Sequence, residues 1–328
     1  MSRLPENWPQ PLAVLGERLA DLWNALHLTP AEQATAWASF AAESAPGWRA
    51  NPLVADVAQT IARLQQDFPS CRVLPAEAGG LPASGWVAAA DREALVRHPL
   101  VAEGALYVQN LASQWAVAGL DPQPGESVLD LAAAPGSKTS QIGAAMRNEG
   151  YLAAVEPVRS RFFRLKANLE RCGVSNIRLF MADGRAVGRK VPERFDRILL
   201  DAPCSSEARI VLPEPDSWQH WRPRKVGEAA YKQKALIESA WAALRPGGRL
   251  LYSTCSFAPE ENEAVVAHLL AQAPEARLLP FTTLPSVARP GLLAWGESRW
   301  PESMALTARL VPDGIYSGFY LALIEKPA

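Results

Sequence analysis

A chain of 328 residues with only four cysteines, four methionines and four histidines is poor in the side chains that hold soft metals or form cross-links. Cys71, Cys172, Cys204 and Cys255 lie too far apart for a C-x-x-C pattern, which argues against a zinc site. A disulfide framework is equally out of place in a long chain with so few cysteines. Long apolar runs are missing as well. Nothing approaches the roughly 20 apolar residues of a membrane span, and the opening MSRLPENWPQ has no apolar signal-peptide centre. A cytoplasmic monomer with no metal and no membrane partner is expected. Charge of one sign is also lacking: 33 basic residues against 34 acidic ones leave a net charge of −1, so the molecule as a whole does not advertise a polyanion partner.

What is present is ordinary globular material, 48% hydrophobic and 20% charged, enough for one large core and a smaller unit. Leu12, Leu15, Leu19 and Leu22 recur at helix spacing within residues 10–43, and Pro30 after the cap residue Thr29 opens a second helix. Residues 1–47 are thus an N-terminal helical segment, without a motif. PGWRANPLVADVAQTIARLQQDF predicts a short strand and then a helix over 54–65, and CRVLPAEAGG and GWVAAAD predict two more short strands. These make a small α+β domain over residues 48–102.

Residues 103–328 read differently. SVLDLAAA (127–134), YLAAVEP (151–157), NIRLF (176–180), DRILLDAP (196–203) and GRLLYSTC (248–255) are short apolar runs, most of them separated by helix-like segments. Strands alternating with helices imply crossover connections, hence a doubly wound α/β domain with a mostly parallel sheet. Its site belongs at the carboxyl ends of the strands.

The residues at those ends carry chemistry. In DLAAAPGSKT, Asp130 ends the first strand, small residues at 132–134 and Gly136 let a ligand approach the backbone, and Ser137 and Thr139 are placed to cap the next helix. The turn is neither G-x-G-x-x-G nor a P-loop. Glu156 ends the second strand, where an acid grips ribose hydroxyls; Asp183 in FMADGR is placed to accept from an adenine amino group; Asp201 ends the fourth strand. Four acids in one crevice suit a cationic adenosyl ligand such as S-adenosylmethionine better than a dinucleotide.

Cys204 in DAPCSSEARI and Cys255 in YSTCSFAPEENE follow the fourth and fifth strands, so both face that crevice. Methylating an exocyclic amine needs no thiol, because the nitrogen has a lone pair. Carbon 5 of a pyrimidine has none. A thiolate adding at carbon 6 makes carbon 5 nucleophilic toward a methyl sulfonium, and loss of the carbon 5 proton then expels the thiolate. Inert packing is the competing account of two such cysteines.

DLAAAPGSKT, DAPCSSEARI and STCSFAPEENE together resemble the RNA cytosine-5 methyltransferases, the Sun and nucleolar-protein group with two active-site cysteines. LYVQNLAS (106–113) and the ending RLVPDGIYSGFYLALIEK extend the resemblance over about residues 48–326. It implies a Rossmann-like class I methyltransferase using S-adenosylmethionine, with Cys255 as the nucleophile, Cys204 assisting release and Asp201 holding the cytosine near ring nitrogen 3. It also implies a cofactor site of Ala132, Ala133, Ala134, Pro135, Gly136, Ser137, Lys138, Glu156, Arg161, Asp183 and Asp201. The family often has cysteine where this chain has Ala132, and glycine near Ser206 or Ala208.

The implied partner is RNA, ribosomal or transfer, positioned by residues 48–102 and by three basic clusters. These are Arg159 to Arg171, Arg185 to Arg197, and Arg222 to Lys234; they bind phosphate only if they converge in space. A non-catalytic RNA-binding or assembly factor is one alternative. A DNA cytosine-5 methyltransferase is another, which gives Cys255 no role.

Overall fold

The structure, a computed structural model, describes residue 5 and residues 8–75 and 81–328. The turn expected at the end of CRVLPAEAGG, residues 76–80, and most of the opening MSRLPEN lie outside the described residues.

The chain begins with helices Ala13–Ala25 and Pro30–Ala38, the second opened by a capping box in which Thr29 and Glu32 satisfy each other's backbone N–H groups. A four-stranded antiparallel sheet follows, built from β1 (Gly47–Ala50), β2 (Arg72–Val73), β3 (Ser84–Trp86) and β4 (Leu106–Val108) in the order β2-β3-β1-β4. Its fourth strand lies past residue 102, so the sheet reaches into the stretch expected to belong to the larger domain. The helix between β1 and β2 runs Val57–Asp67 rather than 54–65, because Asp56 caps it by accepting from the Gln59 N–H at 2.9 Å.

The nine-stranded sheet positions the site. Its parallel strands are β5 (Ser127–Asp130), β6 (Tyr151–Val155), β7 (Ile177–Phe180), β8 (Phe195–Asp201) and β9 (Leu244–Thr254). They stand in the order β7-β6-β5-β8-β9, so the winding reverses between β5 and β8. Alternate residues face opposite sides: Val128 and Leu199 pack with helices Leu111–Leu120, Ser137–Ala145 and Arg159–Arg171, while Leu129 and Leu200 pack with helices Pro223–Ala243 and Glu263–Gln272.

Beyond β9 the sheet turns antiparallel, with β10 (Arg277–Leu279), β11 (Ala288–Pro290), β14 (Ala308–Leu310) and β15 (Phe319–Glu325). The hairpin of β12 (Ala294–Trp295) and β13 (Ser298–Arg299) lies apart from it. Among the described residues no helix is long and apolar enough to cross a membrane.

Candidate active site

Register explains why two cysteines 51 residues apart in sequence meet. In the parallel pair of β8 and β9, Asp201 stands opposite Ser253, so Cys204 and Cys255 leave adjacent strands only three and two residues later. Their sulfurs are 3.2 Å apart. The two loops are stitched together behind them. Glu261 accepts from the Ser205 N–H at 2.9 Å, the Ser256 hydroxyl at 2.8 Å and the Gln233 amide at 2.8 Å, while Glu207 accepts from the Phe257 N–H at 3.0 Å.

Ser206 sits in the left-handed region with φ of 60°, the conformation that glycine adopts without penalty. The glycine demand of this loop is therefore real, and a serine meets it here.

The thiols are electrostatically unequal. The Cys204 hydrogen bond and then the Arg209 guanidinium favour the Cys255 thiolate, outweighing burial and lowering its pKa to about 6. Cys204 is pushed well above the ordinary thiol range, first by its bond to Cys255 and then by burial. Two negative sulfurs at this distance would repel by about 5 kcal/mol at an effective dielectric of about 20, so the pair holds one charge at a time, on Cys255.

Asp201 is held from both sides, by Lys138 Nζ at 2.6 Å and by the Ser253 hydroxyl at 2.9 Å. Lys138 also lies over the Phe319 ring, 5.4 Å from its centroid. Asp130 is buried, and its Oδ2 accepts from the Thr139 hydroxyl at 2.7 Å. Its Oδ1 is buried with no partner of hydrogen-bond geometry. Burial raises the Asp130 pKa to about 6, with nearby Asp201 adding to the rise. Thr139 is thus a partner of Asp130 rather than a helix cap. Ser137 does not cap either: the cap position is Gly136, at φ of 105°, with no side-chain cap bond.

Glu156 is 2% exposed at the end of β6, accepting from the Val158 N–H at 2.8 Å. Arg161 reaches both Glu156, at 3.6 Å, and the Ala134 carbonyl, at 2.9 Å. Asp183 lies beside them, but both of its oxygens accept from the Arg185 guanidinium, whose hydrogen bonds hold the carboxyl below its usual range. An adenine amino group would have to share that carboxylate.

Asp130, residues 132–135, Ser137, Lys138, Glu156, Arg161, Asp183, Asp201, Cys204 and Cys255 line one cavity of about 930 Å³, whereas Gly136, Glu207 and Glu261 do not line it. The expected acidic crevice is only its floor. Asp130 and Glu156 are buried at the strand ends, whereas Arg161, Arg164, Arg185, Arg209 and Lys232 line the same cavity with exposed side chains. Each basic cluster sends at least one residue there. The clusters converge only in part: Arg197 pairs with Glu126, and Arg194 lies over the Tyr151 ring, both near the opposite end of the strands. Arg209, Glu207 and Glu261 had no role in the sequence reading, although Glu261 lies in the quoted acidic run after Cys255.

Comparison with known proteins gives this site a lineage. The family described as 16S rRNA methyltransferase RsmB/F matches residues 117–325. The chain belongs to that family. Ribosomal RNA small subunit methyltransferase F of Klebsiella pneumoniae (strain 342) is 48% identical over 197 residues, covering 59% of this chain and 41% of that protein. Its counterpart in Escherichia coli O139:H28 (strain E24377A / ETEC) is 50% identical over 184 residues, covering 55% of this chain and 38% of that one. The chain thus spans about two-fifths of the length of the curated relatives it matches.

A methyltransferase homolog from Pyrococcus horikoshii superposes with a TM-score of 0.78 at 29% identity, covering 98% of this chain and 100% of that one. NSun6 from the same organism, solved with SFG, gives 0.77 at 20% identity over 98% of each chain. The fold is the Rossmann-like class I methyltransferase fold.

Proposed function

We propose that this protein methylates carbon 5 of a cytosine in RNA, using S-adenosylmethionine and a covalent adduct on Cys255. The observation that carries the reading is the pair of thiols 3.2 Å apart, one favoured as thiolate, in a cavity floored by Asp130 and Glu156. The names of the curated relatives favour ribosomal over transfer RNA.

The residues fit the cofactor. Asp130 Oδ1 has no partner of full hydrogen-bond geometry, although the Ala132 N–H lies near the carboxyl, Glu156 is a buried acid at the strand end, and residues 132–134 keep the wall small. Such a floor favours a cation, and the exposed basic groups above it favour a polyanion, so cofactor and RNA are sorted by depth. S-adenosylmethionine, when bound there, supplies an electrophilic methyl group on a sulfonium.

Cys255 adds to cytosine carbon 6, forming a carbon–sulfur bond, and the electron pair of the 5,6 double bond moves to carbon 5, which takes the methyl group. Asp201, steadied by Lys138 and Ser253, holds the ring near nitrogen 3. Once Cys255 is a neutral thioether, the hydrogen bond to its thiolate and its negative charge, both of which favoured protonated Cys204, are gone. Cys204 can then release its proton to solvent and, as thiolate, take the carbon 5 proton; the double bond re-forms and Cys255 leaves as thiolate.

The target base must leave its stack to reach Cys255. Lys232 at the cavity, with Tyr231 beside it in sequence and 76% exposed, offers a phosphate contact and a stacking face for a neighbouring nucleotide. Residues 48–102 are proposed to hold the RNA further out. A DNA cytosine-5 methyltransferase using Cys204 as nucleophile is disfavoured, because Cys255 is the thiol more readily ionised. Bisulfite mapping of ribosomal RNA incubated with the protein and S-adenosylmethionine should reveal a new 5-methylcytosine that Cys255→Ala fails to make. Methylation by Cys255→Ala would end the proposal.

A further inference from the structure

Arg209 closes the short turn Glu207–Arg209 that follows Cys204. The Ala208 N–H donates to the carbonyl of Cys255 at 3.1 Å, so this turn is fastened to the backbone of the other cysteine and the next side chain emerges beside it. Arg209 lines the cavity together with Cys204, Ser206, Asp201 and Cys255.

The neighbouring charges are largely committed elsewhere. Lys138 is paired with Asp201, Arg161 with Glu156 and Arg185 with Asp183. Glu261 is engaged by Ser205, Ser256 and Gln233, and Glu207 by Phe257 and Ser256. Arg209 forms no ion pair among the described residues. Its charge is left to answer an anion in the cavity, and ionised Cys255 does more than any other neighbour to stabilise it. The coupling is reciprocal, since Arg209 is the largest charged contribution that favours the Cys255 thiolate.

We propose that Arg209 is the counter-ion of the Cys255 thiolate, keeping the nucleophile charged until a cytosine arrives. The assignment rests on Cys255 as the nucleophile, but it is tested on the thiol itself, without RNA or methyl transfer. A failure here is therefore distinguishable from a failure of the proposed reaction.

The groups that bear on Cys255 are Cys204, Ser206 and Arg209 on the first loop and Asp201 at the end of β8, with Lys138 on helix Ser137–Ala145 lining the same cavity and paired with Asp201. Glu261 lies on its own loop, and Lys232 on the long helix. Alkylation with iodoacetamide across pH 5–10, read by mass spectrometry on the peptide carrying Cys255, follows its ionisation among the four cysteines. Removing one opposite charge at contact range should raise the midpoint of that profile by about one pH unit in Arg209→Met. Arg209→Lys, which keeps the charge, should retain most of the wild-type value.

In the wild type, raising salt to about 1 M should itself move the midpoint upward, because Arg209 is an exposed residue at an open cavity wall and salt weakens its attraction for the thiolate. This arm stands even if Arg209→Met fails to fold. A midpoint that Arg209→Met leaves in place overturns the proposal, as does, should that variant not fold, a wild-type midpoint that ignores salt.

Discussion

Replacing Cys204 with alanine perturbs two steps in opposite ways, and the structure gives the size of each. The hydrogen bond from Cys204 is the largest influence holding Cys255 near a pKa of about 6. Without it Cys255 should move toward the ordinary thiol value of about 8.5, leaving about 3% thiolate at pH 7 instead of about 90%. That alone would slow attack about thirtyfold. A more basic thiolate is also more nucleophilic, and a Brønsted coefficient of about 0.4–0.5 over 2.5 units returns about tenfold. The net loss at pH 7 is then only about threefold, so the rate at one pH is a poor readout and the pH profile is a good one.

The sign is clear. In the wild type, attack fails as pH falls through about 6, whereas in Cys204→Ala it should fail as pH falls through about 8.5. Elimination meanwhile lacks its proton acceptor, so the variant should accumulate a protein–RNA band that survives a denaturing gel and grows from pH 7 to 9. RNA carrying 5-fluorocytosine, which has no carbon 5 proton to lose, traps the wild type for comparison. A Cys204→Ala protein that shows no linked band at pH 9, or a Cys255→Ala protein that shows one, refutes the division of labour.

Glu156→Ala should weaken S-adenosylmethionine binding at least tenfold by calorimetry, since a charge-assisted hydrogen bond is worth about 1.5–3 kcal/mol; unchanged affinity would remove Glu156 from the cofactor site. Glu207 is buried, and burial, with Glu261 nearby, raises its pKa to about 7, well above the 4.5 of an unconstrained glutamate. Between those values the unfolded chain is ionised and the folded one is not, so stability falls as pH rises from about 4.5 to 7 and levels off above. Glu207→Gln should therefore stabilise the protein at pH 8, by on the order of 3 kcal/mol at most, and change little near pH 4.5. Urea unfolding at both pH values checks this, and equal destabilisation at both would show that the carboxylate serves the fold as an anion.

Legibility followed periodicity. The five parallel strands announced themselves as apolar runs, and the residues that end them, Asp130, Glu156 and Asp201, were readable because a parallel sheet puts every strand end on one rim. The antiparallel strands β10, β11 and β14 are three residues each, too short to carry a period. Capping by Ser137 and Thr139 was misread because composition does not say which acceptor a hydroxyl will choose, and here the buried Asp130 carboxylate drew Thr139. The acidity of the crevice was overstated for a related reason. Strand ends are fixed by the sheet, but Arg164, Arg209 and Lys232 arrive from helices and a turn whose orientation only packing decides.

The motif-free N-terminal segment shows why a part of the site can leave no mark in a sequence. Phe257, two residues past Cys255, has Trp23 edge-on at 5.5 Å and Phe40 at 6.0 Å, and Trp8 and Trp37 extend the cluster at 5.1 Å from each other. Ile210 and Trp221, from the segment that follows Cys204, are buried in the same cluster. A Cβ on Gly318 would stand 2.2 Å from the Phe257 ring, so the opposite wall admits only glycine. The loops bearing both cysteines are thus pressed from behind by aromatic area donated by residues 8–40, none of which lines the cavity. Aromatic burial is non-directional and has no characteristic spacing. A segment that acts through it can fix two sulfurs at 3.2 Å while reading, residue by residue, as nothing more than two amphipathic helices.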